Sequence, residues 1–285
     1  MYLGWSEGFH DAAAWIIDDN GNIVFASHSE RFSGNKHEKQ ISPELKEYID
    51  NNFDIKSTSF FEKPLLKKTR QLYAGQFKTV FSKRQLAWHP DEEHHHHLSH
   101  AAATFQTSNY EEAAAVVVDS IGEWDTTTIW KCHYDKKGYA KYKKVYTKKY
   151  PNSIGLWYTA LTHFVGLRPL DEEYIFMGMA AFGKYNKSLI QKLHSLFSHN
   201  LHRGVPKSMI QAMSLDKYKP VDIAFNAQII LENKLQMLFD KALTISDNVV
   251  YGGGVALNCV ANTKLHEQCK GNLWIFPNPG DAGGS

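Results

Sequence analysis

One segment constrains the fold more than any other. Ala113 to Asp119 is a continuous run of small and β-branched apolar residues closed by an acid. A half-exposed strand alternates apolar and polar residues; an unbroken run reads as a strand buried on both faces. Such a strand needs a covered sheet, and the rest of the chain supplies helices to cover it. Ile223 to Leu243 carries Ile223, Ala227, Ile230, Leu231, Leu235, Leu238, Phe239 and Ala242 at helical spacing. Ile154 to Val165, Lys187 to Phe197 and Val255 to Leu265 also read as helices, and Asn248 to Tyr251 and Leu273 to Phe276 as strands.

Two stretches read as antiparallel meanders. Tyr2 to Trp5, Ala12 to Ile17 and Ile23 to Ala26 are short apolar runs, the last two joined by Asp18-Asp19-Asn20-Gly21, residues that tolerate a tight turn. Thr126 to Tyr150 alternates and breaks at Lys136-Lys137-Gly138. Its eight lysines against one acid, Asp135, fit a solvated edge hairpin, with an anionic partner as the minority reading. Pro43 to Asn52 reads as a helix capped by Ser42. Gly166 to Gly183, with its glycines and Pro169, reads as loop. Residues 61–90 are rich in Lys63, Lys67, Lys68, Arg70, Lys78, Lys83 and Arg84, and a solvated face is favoured there over a polyanion site. The order of elements implies an α/β fold in two lobes, each opening with a meander and continuing with helix-linked strands.

Bulk properties exclude several classes. The 285 residues carry a net charge of +2, so no basic arm points to nucleic acid. A hydrophobic fraction of 43% supports a core. Three cysteines without zinc-type pairing fit a reducing compartment, and the first ten residues do not read as a signal peptide. No apolar run approaches the ~20 residues of a membrane helix. The expected compartment is therefore the cytoplasm, with no membrane partner.

Histidine is in excess: 15 residues, five of them between His94 and His100. On a helix, His96 and His100 project from one face and can converge on one metal; His97 with His100 is the second choice. A third ligand must come from elsewhere, and Asp281 in Gly280-Asp281-Ala282-Gly283-Gly284, after a strand, is the best candidate. Two His and one carboxylate leave open positions, as a catalytic iron(II) or zinc site requires. Gly252-Gly253-Gly254 between strand and helix could bring backbone N–H groups to an anion or could be a plain tight turn. Asp119 to Glu123 could hold ribose or a metal-bound water, or be a hairpin turn. His10 beside Asp11 could serve as a general base.

Six segments, taken in order, resemble the O-carbamoyltransferase family that includes the nodulation and aminoglycoside-antibiotic carbamoyltransferases. They are His10-Asp11-Ala12-Ala13; Glu30-Arg31 with Lys36-His37; His96-His97-Leu98-Ser99-His100-Ala101-Ala102; Asp119 to Glu123 with Trp124 and Thr126-Thr127-Thr128; Glu173-Tyr174 with Met177-Gly178; and Gly253 to Asn258 with Gly280 to Gly284. The resemblance implies a two-lobed fold of the actin-like ATPase and sugar-kinase superfamily, with ribonuclease H-like lobes, related to the tRNA threonylcarbamoyl transferases. It places the lobes at residues 1–122 and 123–285. It implies a metal, Fe(II) or another divalent ion, on His96, His100 and Asp281. It implies an adenylate between the lobes, touched by Asp119, Gly122, Glu123, Gly253, Gly254 and Asn258. His10 is similar to the residue that deprotonates the acceptor hydroxyl, and Lys36 to a family lysine near the phosphate.

The reaction so implied has two steps. Carbamoyl phosphate and ATP form carbamoyl adenylate, and the carbamoyl group then passes to a hydroxyl of a small-molecule acceptor. Family members continue past the position of Ser285 with more of this lobe and then a domain that makes carbamoyl adenylate, so the second lobe is expected to be incomplete at its C-terminus, as in a fragment or split gene product. The expectation is a chain that performs the second step, with a separately encoded adenylate-forming domain as partner. Ser120 stands where the family usually has glycine. A tRNA threonylcarbamoyl role and a non-catalytic nucleotide- or metal-binding fragment are the alternatives.

Overall fold

The structure, a computed structural model, describes residues 1–8, 10–77 and 85–283. Lys78, Lys83, Arg84 and Gly284 of the sequence analysis lie outside the described residues. The chain forms two compact units that interleave in sequence rather than dividing once after residue 122. Unit 1 comprises residues 1–107, 122–124 and 276–285; unit 2 comprises 108–121 and 125–275.

Unit 1 is built on strands β1 (Tyr2–Ser6), β2 (Ala13–Ile17), β3 (Ile23–His28), β4 (Ser57–Phe60) and β5 (Glu92–Glu93), in the order β3-β2-β1-β4-β5. The first three strands run antiparallel, and β4 and β5 add in parallel to β1. The β2–β3 turn forms as its residues require: Asp18 Oδ1 accepts from the amides of Asn20 and Asn22, both at 2.8 Å, and Gly21 takes φ 82°. Helices α1 (Glu30–Ser33), α2 (Pro43–Asn52), α3 (Pro64–Tyr73) and α4 (His96–Gln106) complete the unit. Ser42 caps α2 by accepting from Leu45 N at 3.2 Å, and Leu45 and Ile49 turn inward. The core gathers Leu3, Trp5, Ile16, Leu45, Ile49, Phe60 and Phe61.

Unit 2 repeats the topology. Strands β6 (Glu112–Val118), β7 (Asp125–Tyr134), β8 (Ala140–Lys149), β9 (Val249–Gly252) and β10 (Leu273–Ile275) lie in the order β10-β9-β6-β7-β8. Again three antiparallel strands are followed by two parallel additions. β6 is central and buried from Ala113 onward, as its unbroken apolar run requires. The lysine-rich β8 is the edge strand and is mostly exposed. Helices α5 (Ile154–Phe164), α6 (Glu173–Met179), α7 (Lys187–Ser195), α8 (Lys207–Met213), α9 (Pro220–Leu243) and α10 (Cys259–Gln268) surround the sheet. The 24-residue α9 buries Ile223, Ala227, Leu231, Leu235 and Phe239, the face its periodicity marks.

Three local expectations change. Residues 166–183, read as loop, contain α6 and a 3-10 turn, Ala180–Phe182. Tertiary contacts override the glycines there: Phe176 is fully buried, and Glu173 Oε1 accepts from Thr159 Oγ1 and Leu170 N, both at 2.8 Å. The helix expected from Lys187 to Phe197 ends at Ser195 and continues as a 3-10 turn, Leu196–Ser198. The helix expected from Val255 is split into a 3-10 turn (Gly254–Leu257) and α10, because Asn258 caps the latter by accepting from Ala261 N at 2.9 Å.

Candidate functional site

Helix α4 starts where the histidine run leaves an extended backbone at His95, and Ala101 to Ala103 sustain it. Its four-residue spacing brings His96 and His100 together, both 2% exposed, with their Nε2 atoms 3.1 Å apart. Asp281 arrives on a short 3-10 turn, Asp281–Gly283, and its Oδ1 lies 3.4 Å from each Nε2. That turn is pinned within unit 1. Trp15 of β2 donates to Ala282 O at 2.6 Å, and Asn278 meets His28 of β3 at 3.1 Å. Gly283 packs so closely that a Cβ there would lie 1.7 Å from Asn278 O.

The donor set fits a small divalent ion. Ligand atoms about 2.1 Å from an ion, at octahedral to tetrahedral angles, are roughly 3.0–3.4 Å from one another. The three atoms here stand at those separations, the histidines buried and Asp281 partly so, with an acid to offset the cation. The chemistry of two imidazoles and a carboxylate suits iron(II), zinc or manganese without selecting among them. His97, the second-choice ligand, is also buried, but its ring centroid stands 6.5 Å from that of His100, against 4.7 Å for His96. His94 lies 3.5 Å from Glu92 at the surface.

Glu123 occupies an unforeseen place. Its carboxylate, 4% exposed, turns into unit 1, where Oε1 accepts from Lys63 N and His96 N, both at 2.9 Å. Its carbonyl accepts from the buried Arg70 Nε at 3.1 Å. A negative group at the first residue of α4 complements the helix dipole and sets the point from which the histidines are counted. Gly122, beside it, is buried. The sequence signal was present only as an acid in a short turn.

His10 and Asp11 sit at the mouth of the first turn. His10 Nδ1 is 2.7 Å from Asp11 Oδ2, and His37 Nδ1 is 3.2 Å from Oδ1. Asp11 adopts φ 51°, a left-handed conformation that non-glycine residues seldom take. The hydrogen bond from His10 holds the Asp11 carboxyl below its ordinary value, against an opposing effect of burial, with His37 adding to the lowering. An ionised Asp11 places the His10 proton on Nδ1 and leaves Nε2 as the acceptor. Lys36 is exposed on the loop after α1.

In unit 2, Asp119 closes β6. Its Oδ1 accepts from Gly254 N at 3.1 Å. Gly253 takes φ 90°, and a Cβ there would lie 2.3 Å from Val118 O, so only glycine lets the turn close on the strand. Ser120 lies against α5: a Cβ on Gly155 would be 2.7 Å from its Cα, and its carbonyl accepts from Ser153 Oγ at 2.7 Å. Asn258 is engaged as structure. Besides capping α10, its amide pairs reciprocally with Gln228, both bonds 3.0 Å. Gln228 continues the chain to Tyr158 Oη at 3.2 Å and Glu232 at 3.0 Å.

The comparisons agree with this architecture. An uncharacterized protein of Synechocystis sp. is 28% identical over 99% of this chain and 55% of its own length. An uncharacterized protein of Methanocaldococcus jannaschii is 26% identical over the same shares. The chain thus spans about half the length of the curated relatives it matches. Among solved structures, the activator of the 2-hydroxyisocaproyl-CoA dehydratase from Clostridium difficile, with bound ADPNP, superposes with a TM-score of 0.57 at 12% identity, covering 99% of this chain and 91% of that one. At that identity the likeness establishes the fold, the α/β actin-like ATPase type. No helix among the described residues is long and apolar enough to cross a membrane. Residues 39–285 match the family Carbamoyltransferase N-terminus, a span that takes in the whole sheet of unit 2, strands β4 and β5 of unit 1, the converging histidines and Asp281, and the chain belongs to that family.

Proposed function

We propose that this chain carries the transfer step of an O-carbamoyltransferase, moving a carbamoyl group from carbamoyl adenylate to a hydroxyl of a small-molecule acceptor. The observation that carries the reading is the convergence of His96, His100 and Asp281 within a family whose name is carbamoyl transfer. The donor would be made from carbamoyl phosphate and ATP by an adenylate-forming domain.

The step is acyl transfer. The acceptor oxygen attacks the carbamoyl carbon, His10 Nε2 takes its proton, and the bond from that carbon to the adenylate oxygen breaks to release AMP. Asp11 holds His10 in the required tautomer and stabilises the imidazolium that forms. A divalent ion on His96, His100 and Asp281 would supply positive charge to the carbamoyl oxygen as charge develops there. Unit 2 would hold the adenylate with the Asp119 to Ile121 segment, which leads into Gly122, and the Gly253-Gly254 turn. Glu123 and Asn258 would serve by fixing α4 and α10 rather than by touching nucleotide. Lys36, exposed, is available to a phosphate. The nucleotide assignment draws support from the actin-like fold and from the ADPNP bound in the dehydratase activator.

The test combines metal analysis with transfer assays using supplied carbamoyl adenylate and a panel of hydroxyl acceptors. Wild type should hold one divalent ion per chain, and the His96→Ala, His100→Ala and Asp281→Ala variants should lose it. His10→Ala should keep the ion and lose about 10²–10⁴ of the transfer rate. Unchanged metal content in the ligand variants, or full activity in His10→Ala, overturns the reading.

A further inference from the structure

The lysine-rich hairpin, set aside above as a solvated edge, ends in a cavity. Lys148 and Lys149 of β8, Asn152, Ser153 and Ile154 at the start of α5, Phe197, and Lys234 of α9 enclose about 290 Å³ within unit 2. Among the described residues, no carboxylate lines it. Elsewhere on the hairpin two of the lysines meet acids, Lys141 with Asp135 at 3.3 Å and Lys144 with Asp125 at 2.7 Å. Among the described residues, Lys148, Lys149 and Lys234 have no such partner.

Lys234 is the unusual member. Its Nζ stands 4.0 Å from the centroid of the Phe197 ring. That ring is held in place, stacked on Trp157 at 4.5 Å and 18°, and the Trp157 indole donates to Leu193 O at 3.0 Å. Burial, and then the charge of Lys148, pull the Lys234 ammonium below its ordinary value. The neighbouring His194 is lowered in the same way, by burial and then by Lys234. An ammonium half removed from water, beside a second cation and without an acid, is costly as a structural device. An incoming anion would offset the cost of burial and neutralise the repulsion between Lys234 and Lys148. The eleven-residue α5 opens at the same wall, and its N-terminal dipole adds to the positive potential.

We propose that this cavity is an anion site for a multiply charged phosphate group, gripped by Lys148 and Lys234, with Phe197 and Ile154 as an apolar wall. Lysine is a point-charge phosphate binder, and the volume holds one or two phosphate units or a small phosphomonoester. The site shares no residue with the transfer chemistry proposed above, although its wall residue Ser153 donates to the carbonyls of Asp119 and Ser120, at 3.3 and 2.7 Å, in the neighbouring segment.

Titration calorimetry on the full chain tests it, with inorganic pyrophosphate and glycerol phosphate as probes. A 1:1 isotherm with either probe is expected. Lys234→Gln and Lys148→Gln should each weaken it at least tenfold, whereas Lys144→Gln, outside the cavity, should not. Binding should persist under saturating ATP, which separates this site from the Gly253-Gly254 turn. Tighter binding of pyrophosphate identifies a free inorganic anion as the ligand type, and tighter binding of glycerol phosphate an organic one. Absence of binding by both, displacement by ATP, or indifference to Lys234→Gln overturns the proposal. Should a variant misfold, ¹³C-dimethylated wild-type lysines give a second reading: the Lys234 resonance must shift on pyrophosphate addition.

Discussion

The two units share a strand order and differ in what fills them. Among the described residues, unit 2 packs thirty-one buried apolar side chains into one cluster, and unit 1 packs ten. Unit 1 instead buries charge and imidazole: Glu7, Glu62, Arg70, His96, His100 and Glu123 are each at most 5% exposed. Each of these carboxylates has a partner. Glu7 accepts from the indole of Trp5 and the amides of Ile41 and Ala87, and Glu62 meets Lys67 at 2.7 Å. One topology is thus stabilised in two ways, by apolar area in unit 2 and by satisfied polar contacts in unit 1. The second way is costlier to build and more directional, which is what a ligand set for an ion requires.

The contrast can be broken most forcefully in unit 2. Phe239→Ala removes a fully buried ring that packs on Tyr251 at 5.2 Å. It should cost about 3–5 kcal/mol in urea unfolding, with metal content kept in the folded fraction. A loss under about 1 kcal/mol would contradict the apolar account. In unit 1 the corresponding test is Glu123→Ala. It leaves the buried N–H of His96 and the partly buried N–H of Lys63 without their acceptor and should cost about 2–4 kcal/mol. It should also weaken metal binding about tenfold or more, as loss of an outer support does. Glu123→Gln keeps an acceptor oxygen and should recover most of both; equal effects of Gln and Ala would mean that charge, not the hydrogen bonds, sets α4. The smallest expected effect is Ser42→Ala, about 1 kcal/mol for a lost helix cap, with no change in metal content.

What the sequence disclosed follows the same divide. Strand β6 was legible because burial on both faces leaves an unbroken apolar run, and α9 because three turns or more of periodicity outweigh noise. The Asp18 to Gly21 turn and the Ser42 cap were legible as local chemistry. β4 was not, since three of its four residues are Ser57, Thr58 and Ser59, and α3 was not, since its short apolar stretches adjoin Lys63, Lys67 and Lys68. α6 was hidden by Gly178 and depends on contacts from Thr159. In the candidate site, the His96–His100 spacing is a local signal that the helix converts directly into proximity. Asp281 lies far along the chain and was reached through a glycine-rich loop and a family resemblance. The work of Glu123 and Asn258 could not be read at all, because a side chain's partner is a property of the fold and not of its neighbours in sequence.

The interleaving of the units has a consequence for the order of assembly. Residues 125–275 of unit 2 form one uninterrupted stretch, whereas unit 1 needs its first hundred residues and the turn that carries Asp281. During synthesis His96 and His100 leave the ribosome early and wait for an acid that emerges after the whole of unit 2. An ion bridging them would close a loop of nearly two-thirds of the chain, so its binding is both a late event and a large constraint on the unfolded ensemble. Stripping the ion should therefore loosen the two ends of the chain before it disturbs the middle.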